Sequence, residues 1–218
     1  MPLPSPGRFT LAAACVALAS FTFVACTTTK IVDGGQPAPN GGSTAAEGEG
    51  EEEDASAEPA GPMTLTSSAF EDGAKLPSLH TCDGEGGKKE VSPPLSWTPG
   101  PEGTQSYAIV FTDKSNGLVH SVIYDIPATV TSLPEGIEGE FEPSEPAGAK
   151  QSLNYKNQSG YAGPCPPEGE HEYEFALYAV GVETLTGVTK DSKAAAVKTA
   201  ILKEDVAVSK LTARYTRE

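Results

Sequence analysis

Basic residues are scarce in this chain: 15 Lys and Arg stand against 30 Asp and Glu over 218 residues, and nowhere do they form a run. A phosphate backbone is held by grouped Lys and Arg that displace its counterions, so nucleic acid is excluded as a partner. Long apolar stretches are also lacking. The one sustained run, residues 11–24, is too short to span a bilayer comfortably. Signatures of enzyme chemistry are missing as well: there is no Gly-x-Ser-x-Gly elbow, no phosphate-binding glycine loop and no His-Glu-x-x-His. Nothing in the sequence calls for a cofactor.

What is present begins with a leader. Residues 1–25 carry a single charge, Arg8, ahead of the apolar run, and then small residues lead to Cys26. This is the pattern of a secretion signal that is removed. Phe23-Val24-Ala25-Cys26 resembles a bacterial lipobox, with Phe23 where a Leu is usual. The match implies acylation of Cys26 and a membrane anchor made of lipid, each buried methylene contributing roughly 0.8 kcal/mol. Ordinary signal cleavage is the alternative. Thr27, where an Asp would signal retention, fits passage to the outer membrane of the cell envelope, with the leaflet left open.

Residues 26–62 are dominated by Gly, Pro, Ser, Thr and the run Glu47-Gly48-Glu49-Gly50-Glu51-Glu52-Glu53-Asp54. Such a stretch buries too little apolar surface to offset its chain entropy, and its charge repels itself, so it reads as a disordered, extended tether. The spacing and central glycine of a calcium loop are absent from the acidic run. Of the net charge of −15, the leader carries +1 and residues 27–62 carry −7, which leaves −9 for residues 63–218. That last segment holds all three His and the single Trp, and is long enough to fold as one domain with a substantial core.

Within it, short alternating segments broken by Gly and Pro predict a mostly β fold. Strands are expected over residues 63–67, 106–113, 119–126 and 172–182. Period two would place Tyr107, Ile109, Phe111 and Asp113 on one face, and His120, Val122, Tyr124 and Ile126 together on another. A helix is expected over residues 191–204, capped by Asp191 or Ser192, with Ala195, Val197, Ala200 and Ile201 as its apolar stripe. Residues 206–215 suit a closing strand or a helix. Residues 127–158 show no sustained period and read as a loop that supplies part of a pocket rim.

Two places carry candidate chemistry. Asp113 ends an apolar face and His120 follows seven residues later, where a carboxylate can orient an imidazole and make it a hydrogen-bond donor to an anion. A plain turn through Lys114-Ser115-Asn116-Gly117 explains Asp113 equally well. Further on, Gly163-Pro164-Cys165-Pro166-Pro167 runs into His171-Glu172-Tyr173. The prolines make a rigid platform, and alternation points His171 and Tyr173 to one side. His171 as a mere strand-start cap is the other reading. Once Cys15 leaves with the signal and Cys26 carries lipid, Cys82 and Cys165 remain. They can form a disulfide worth on the order of 4 kcal/mol, or stay as separate buried thiols. Zinc held by His120, His171 and both thiols would lack the usual compact ligand pairs.

The order of motifs resembles the phosphatidylethanolamine-binding protein family, especially its bacterial Raf-kinase-inhibitor-like members. The resemblance spans Phe70-Glu71-Asp72-Gly73, Thr81-Cys82-Asp83-Gly84, Ser92-Pro93-Pro94-Leu95-Ser96-Trp97, Gly103 through Asp113, His120, Ile126-Pro127-Ala128, and Gly160-Tyr161 through His171-Glu172-Tyr173 to Leu177-Tyr178-Ala179. It implies a Greek-key β-sandwich with a few peripheral helices and a pocket for phosphate- or carboxylate-type anions, formed by Asp113, His120, His171 and Tyr173. Two departures bear on pocket shape and ligand choice: the family's Asp-Pro-Asp-x-Pro stands here as Asp113-Lys114-Ser115-Asn116-Gly117, and its His-Trp as His120-Ser121.

The resulting expectation is a non-catalytic, membrane-tethered module that binds a small anion or a phospholipid head group through His120, His171 and Tyr173, with Asp113 orienting an imidazole. Resemblance to the family also raises protease inhibition through a protein partner. Acid–base hydrolysis by the same four residues is a third reading, without a nucleophile to support it.

Overall fold

The computed structural model describes residues 62–217. The leader, Cys26 and the acidic tether up to residue 61 lie outside the described residues, so the expectations about export, acylation and disorder fall there.

Two sheets form the domain. The smaller is antiparallel and places β1 (Leu65–Thr66) beside β3 (Leu95–Trp97) and β3 beside β6 (Ser132–Leu133). The larger runs in the order β2 (Ala74–Lys75), β9 (Asp205–Thr216), β8 (Glu170–Val180), β4 (Ser106–Asp113), β5 (Val119–Pro127), β7 (Lys150–Gln151). All its pairings are antiparallel except that of β2 with β9. Within it β8, β4, β5 and β7 follow the Greek-key order, the last strand returning by a long connection to lie beside the first. The fold is a mostly β sandwich, as its alternating segments predict. Among the described residues it has one α-helix, α1 (Ala194–Glu204), and one short 3-10 turn (Ser78–His80).

β4 explains the layering. It is buried along its whole length, because the small sheet covers one face and α1 the other. Tyr107, Ile109 and Phe111 join the inter-sheet core with Trp97, Phe175 and Leu211, while Ala108 and Val110 pack under the helix with Val122, Val197 and Ile201. Along β4 itself, small and branched residues serve the helix side, and larger ones, two of them rings, face the small sheet.

In β5 the expected common face of His120, Val122, Tyr124 and Ile126 is broken. Pairing passes from Tyr107↔Ile126 to Ile109↔Ile123, and from Phe111↔Ser121 to Thr112↔Val119, so β5 carries an extra residue at each step. One bulge surrounds Asp125, whose φ is 55°, and the other is His120 itself. Each bulge reverses the alternation. Val122 and Tyr124 therefore face the helix, Ile126 joins the inter-sheet core, and the His120 ring turns back against Phe111, 5.1 Å between centroids.

The helix starts later than expected, and neither Asp191 nor Ser192 caps it. Leu153 and Lys193 form a parallel bridge, and the Leu153 carbonyl accepts the Ala194 N–H, so backbone replaces the side-chain cap. Its buried stripe is Ala194, Val197 and Ile201, with Ala195 turned to solvent. Residues 206–215 belong to β9, which follows the helix without a loop. The region read as loop contains β6 and β7 together with a bridge between Leu153 and Ser159.

Candidate functional site

The site lies where β4 and β8 end together. Asp113 and Tyr173 are register partners, and His171 precedes Tyr173 by two, so alternation brings all three side chains to one side. His171 Nδ1 donates to Asp113 Oδ2 at 2.7 Å. The same carboxylate accepts the Ser115 N–H at Oδ1, 2.9 Å, and the Asn116 amide at Oδ2, 3.0 Å. The Asp113 carbonyl takes the Gly117 N–H at 2.8 Å, and Gly117 adopts the positive φ, 77°, that closes the turn. Asp113 thus builds the turn and orients an imidazole, but that imidazole is His171 and not the His120 set beside it in the sequence, whose Nδ1 goes to the Ala162 carbonyl. At 2% exposure it needs those donors, since a buried carboxylate without them would be strongly disfavoured.

His120 enters from the β5 bulge. Its Nδ1 donates to the Ala162 carbonyl at 3.0 Å, because a carbonyl oxygen can only accept. The ring is 3% exposed and stands edge-on to Phe111, Tyr155 and Tyr173, with centroids 5.1, 4.9 and 5.6 Å away. Burial holds its pKa below the usual histidine value, partly opposed by the Ala162 carbonyl and the Asp113 charge. Nε2 has no hydrogen-bond partner among the described residues. In the neutral ring that atom is an acceptor, so the expected donor role of His120 applies only to its imidazolium form.

Tyr173 is fully buried, and its hydroxyl lies near the Asp113 carboxylate without reaching a hydrogen bond of full geometry to any described residue. Burial first, and the nearby Asp113 charge second, raise this phenol well above its ordinary pKa and keep it protonated. An unsatisfied buried hydroxyl costs roughly 1–3 kcal/mol, and one facing a cavity marks a place for a ligand atom.

The remaining wall comes from the proline platform. Cys82 and Cys165 form a disulfide with Cα atoms 5.4 Å apart, and the Cys82 N–H donates to the Pro164 carbonyl at 3.0 Å. Gly163 is required here, because a Cβ would meet the His80 carbonyl oxygen at 2.6 Å. Tyr161 donates its hydroxyl to the same carbonyl at 2.8 Å and stacks on Phe111 at 5.3 Å. With both sulfurs bonded to each other, the four-ligand zinc arrangement is unavailable. Among the described residues no group of three or more His, Cys, Asp or Glu is placed to hold a metal.

Asp113, His120, His171 and Tyr173 together line one cavity of about 150 Å³, closed by Pro166, Pro167 and Tyr155. All four residues singled out in the sequence are brought together. Tyr155 and Asn116 were not singled out. The first sits in the aperiodic segment, a lone aromatic among polar residues; the second lies in the turn after Asp113, where the sequence departs from the family motif. A second, apolar cavity of about 40 Å³ between the sheets is lined by Phe111, Phe175 and Tyr161 among others and has room for little more than a water or two.

Comparison with known proteins bears on this arrangement. Residues 66–216 match the family described as phosphatidylethanolamine-binding protein. A protein of Methanothermobacter thermautotrophicus is 36% identical over 160 residues, which are 71% of this chain and 99% of that protein. Escherichia coli YbcL is 33% identical over 160 residues, 69% of this chain and 86% of YbcL. The YbcL crystal structure superposes with a TM-score of 0.64 at 31% identity, over 72% of this chain and 100% of YbcL's. That of a phosphatidylethanolamine-binding protein homologue from Chlamydia trachomatis gives 0.57 at 30% identity, over 72% and 99%. Fold, motif order and similarity along nearly the whole domain agree: this chain belongs to the phosphatidylethanolamine-binding protein family, in the group that includes Escherichia coli YbcL and YbhB.

Proposed function

We propose that the chain is a binding module, without catalysis of its own, whose cavity takes the oxoanion of a small phosphate- or carboxylate-type head group. The observation that carries this reading is the buried Tyr173 hydroxyl, which completes no hydrogen bond in the protein while lying on a cavity shared with two imidazoles. It supplies one donor. A second comes from His171 in its imidazolium form, whose Nδ1 is committed to Asp113 and whose Nε2 is left for the ligand. The absence of a nucleophile motif in the sequence supports binding over hydrolysis.

Histidine-resolved NMR of the purified full chain, titrated with phosphate and with phosphoethanolamine beside a His171→Ala variant, tests this. Saturable shifts at His120 and His171 that vanish in the variant are expected. Unresponsive histidines would overturn the reading and turn attention to protein inhibition through the surface.

We further propose that the module is carried at the cell envelope by acylated Cys26, in the outer membrane, on its acidic tether. Support comes from the Phe23–Cys26 motif and the composition of residues 26–62. No helix among the described residues is long and apolar enough to cross a membrane. Cys26→Ser is expected to abolish incorporation of labelled fatty acid and to free the chain from the membrane fraction; continued labelling would contradict the assignment.

A further inference from the structure

At the end of the large sheet remote from the cavity, one strand is only half paired. β9 is bonded to β8 along its whole length, but on its outer side β2 reaches only Ala213 and Arg214. The bonds on that side show which residues face it. The Thr212 carbonyl accepts the Gly73 N–H at 2.9 Å, the Thr212 N–H donates to Asp72 Oδ1 at 2.7 Å, and the Arg214 carbonyl accepts the Leu76 N–H at 2.8 Å. Backbone groups alternate sides along a strand, so the N–H and C=O of Val208 and Lys210 point the same way. Among the described residues nothing pairs with them.

Sheet edges are usually blunted, and the opposite edge of this sheet is: β7 has two residues, and the Gln151 N–H donates to the Phe141 carbonyl at 2.8 Å. Residues 206–210 read Val-Ala-Val-Ser-Lys, without proline, and Val206 and Val208 are 48% and 46% exposed. Their one bulge, at Val206, and their one charge, on Lys210, lie at the two ends and leave Val208 clear. The helix does not cover them, since the cluster beneath α1 draws on β4, β5 and β8 and on no residue of β9. An apolar, unpaired stretch of strand is a template for a further strand.

We propose that this edge pairs with the same edge of a second copy of the chain, antiparallel and centred on Val208, joining the two large sheets into one. Position and charge select that arrangement. The open stretch is bounded by the end of α1 at Glu204 and by Asp72 at Thr212, so only pairing about its midpoint, Val208, uses its full length. Val208 then exchanges both backbone hydrogen bonds with its counterpart, and the two valine side chains meet on one face of the joined sheet. Lys210 of each copy comes opposite the Asp205–Val206 end of the other. That end is acidic, with Glu204 and Asp205 against Lys203, all exposed. The end carrying Lys210 is basic, because Glu174 lies between two ammonium groups, Lys210 at 3.1 Å and Lys114 at 3.5 Å. The nearby charge of Asp72 is held by the Thr212 N–H and hydroxyl, 2.7 Å each. A parallel pairing, or one centred on Lys210, would set like charges together. β9 runs from this contact toward its pairing with Glu170 and His171, so the two ligand cavities lie at opposite ends of the dimer, clear of the contact. Confined to one strand, the association is weak and reversible.

Sedimentation equilibrium of the full chain bearing Cys26→Ser, which keeps lipid from driving association, tests this from about 10 µM to about 1 mM, the range suited to a weak contact. A monomer–dimer equilibrium is expected. Val208→Pro is the decisive variant. The Val208 N–H points outward and makes no bond in the monomer, so proline removes a donor from the dimer alone. Dimerisation should weaken by about tenfold or more, with the unfolding midpoint of the monomer unchanged. Amide exchange gives a second reading: the Val208 and Lys210 N–H groups should exchange freely at about 10 µM and become protected toward about 1 mM. If Val208→Pro does not fold, that concentration dependence decides. A chain that stays monomeric at every concentration overturns the proposal. So does a dimer that Val208→Pro leaves undiminished, which would use another face. Amides protected at all concentrations overturn it as well, because another segment of the same chain would then cover the edge.

Discussion

Two neighbouring stretches of the same strand pair behave in opposite ways. At Phe111 and Phe175, register partners in β4 and β8, the rings stack at 4.3 Å and are almost wholly buried in the inter-sheet core. Two residues further along, Asp113 and Tyr173 are again register partners and equally buried, yet the Tyr173 hydroxyl is left without a hydrogen bond and a cavity opens beside it. The backbone pairing is continuous across both. What changes is the side-chain chemistry: the first pair is apolar, while in the second Asp113 is satisfied by His171, Ser115 and Asn116 and the Tyr173 hydroxyl is left over. The first pair therefore supports stability, and under the proposed function the Tyr173 hydroxyl of the second serves the ligand.

The contrast can be tested by breaking each side in turn. The largest effect is expected from Cys82→Ser with Cys165→Ser, which removes a cross-link between residues 83 apart in sequence. A loss on the order of 4 kcal/mol in denaturant unfolding should result. Because Cys165 also lines the cavity, phosphate affinity should fall in the same variant. Phe111→Ala comes next, at about 3 to 4 kcal/mol of unfolding free energy for a ring buried among aromatics. It should leave the Asp113–His171 hydrogen bond intact, observable as an unchanged Nδ1 proton resonance of His171.

A smaller effect follows from His120, whose burial lowers its pKa below the reference of 6.5. In the unfolded chain this ring takes up a proton at higher pH than in the folded one. Stability is therefore fully present above about pH 6.5 and declines as pH falls toward the folded-state value. Unfolding curves across this range should show that slope in the wild type and a shallower one in His120→Gln. An identical slope in both would assign the pH dependence to another group.

Much of the fold was legible in the sequence, because β4, β5 and β8 alternate strongly enough for the period to appear without a partner. Asp113, His171 and Tyr173 were legible for the same reason: a strand fixes which side its residues face. His120 was found by type and motif order, but its face was misassigned. The bulges in β5 depend on pairing with β4, and no local residue pattern announces them. Tyr155 reached the cavity through a connection whose path is set by the Leu153 bridges to Ser159 and Lys193, contacts between segments distant in sequence or aperiodic. The helix start was missed on similar grounds, since its first N–H is satisfied by a remote carbonyl.

The most direct test of the contrast between the two stretches is to measure unfolding free energy and phosphate affinity together in Tyr173→Phe. Removing a buried hydroxyl that lacks a protein partner should leave stability unchanged or raise it by about 1 kcal/mol, while phosphate affinity drops by about tenfold. Loss of stability with undiminished phosphate binding would contradict the account, because the hydroxyl would then serve the fold and not the ligand.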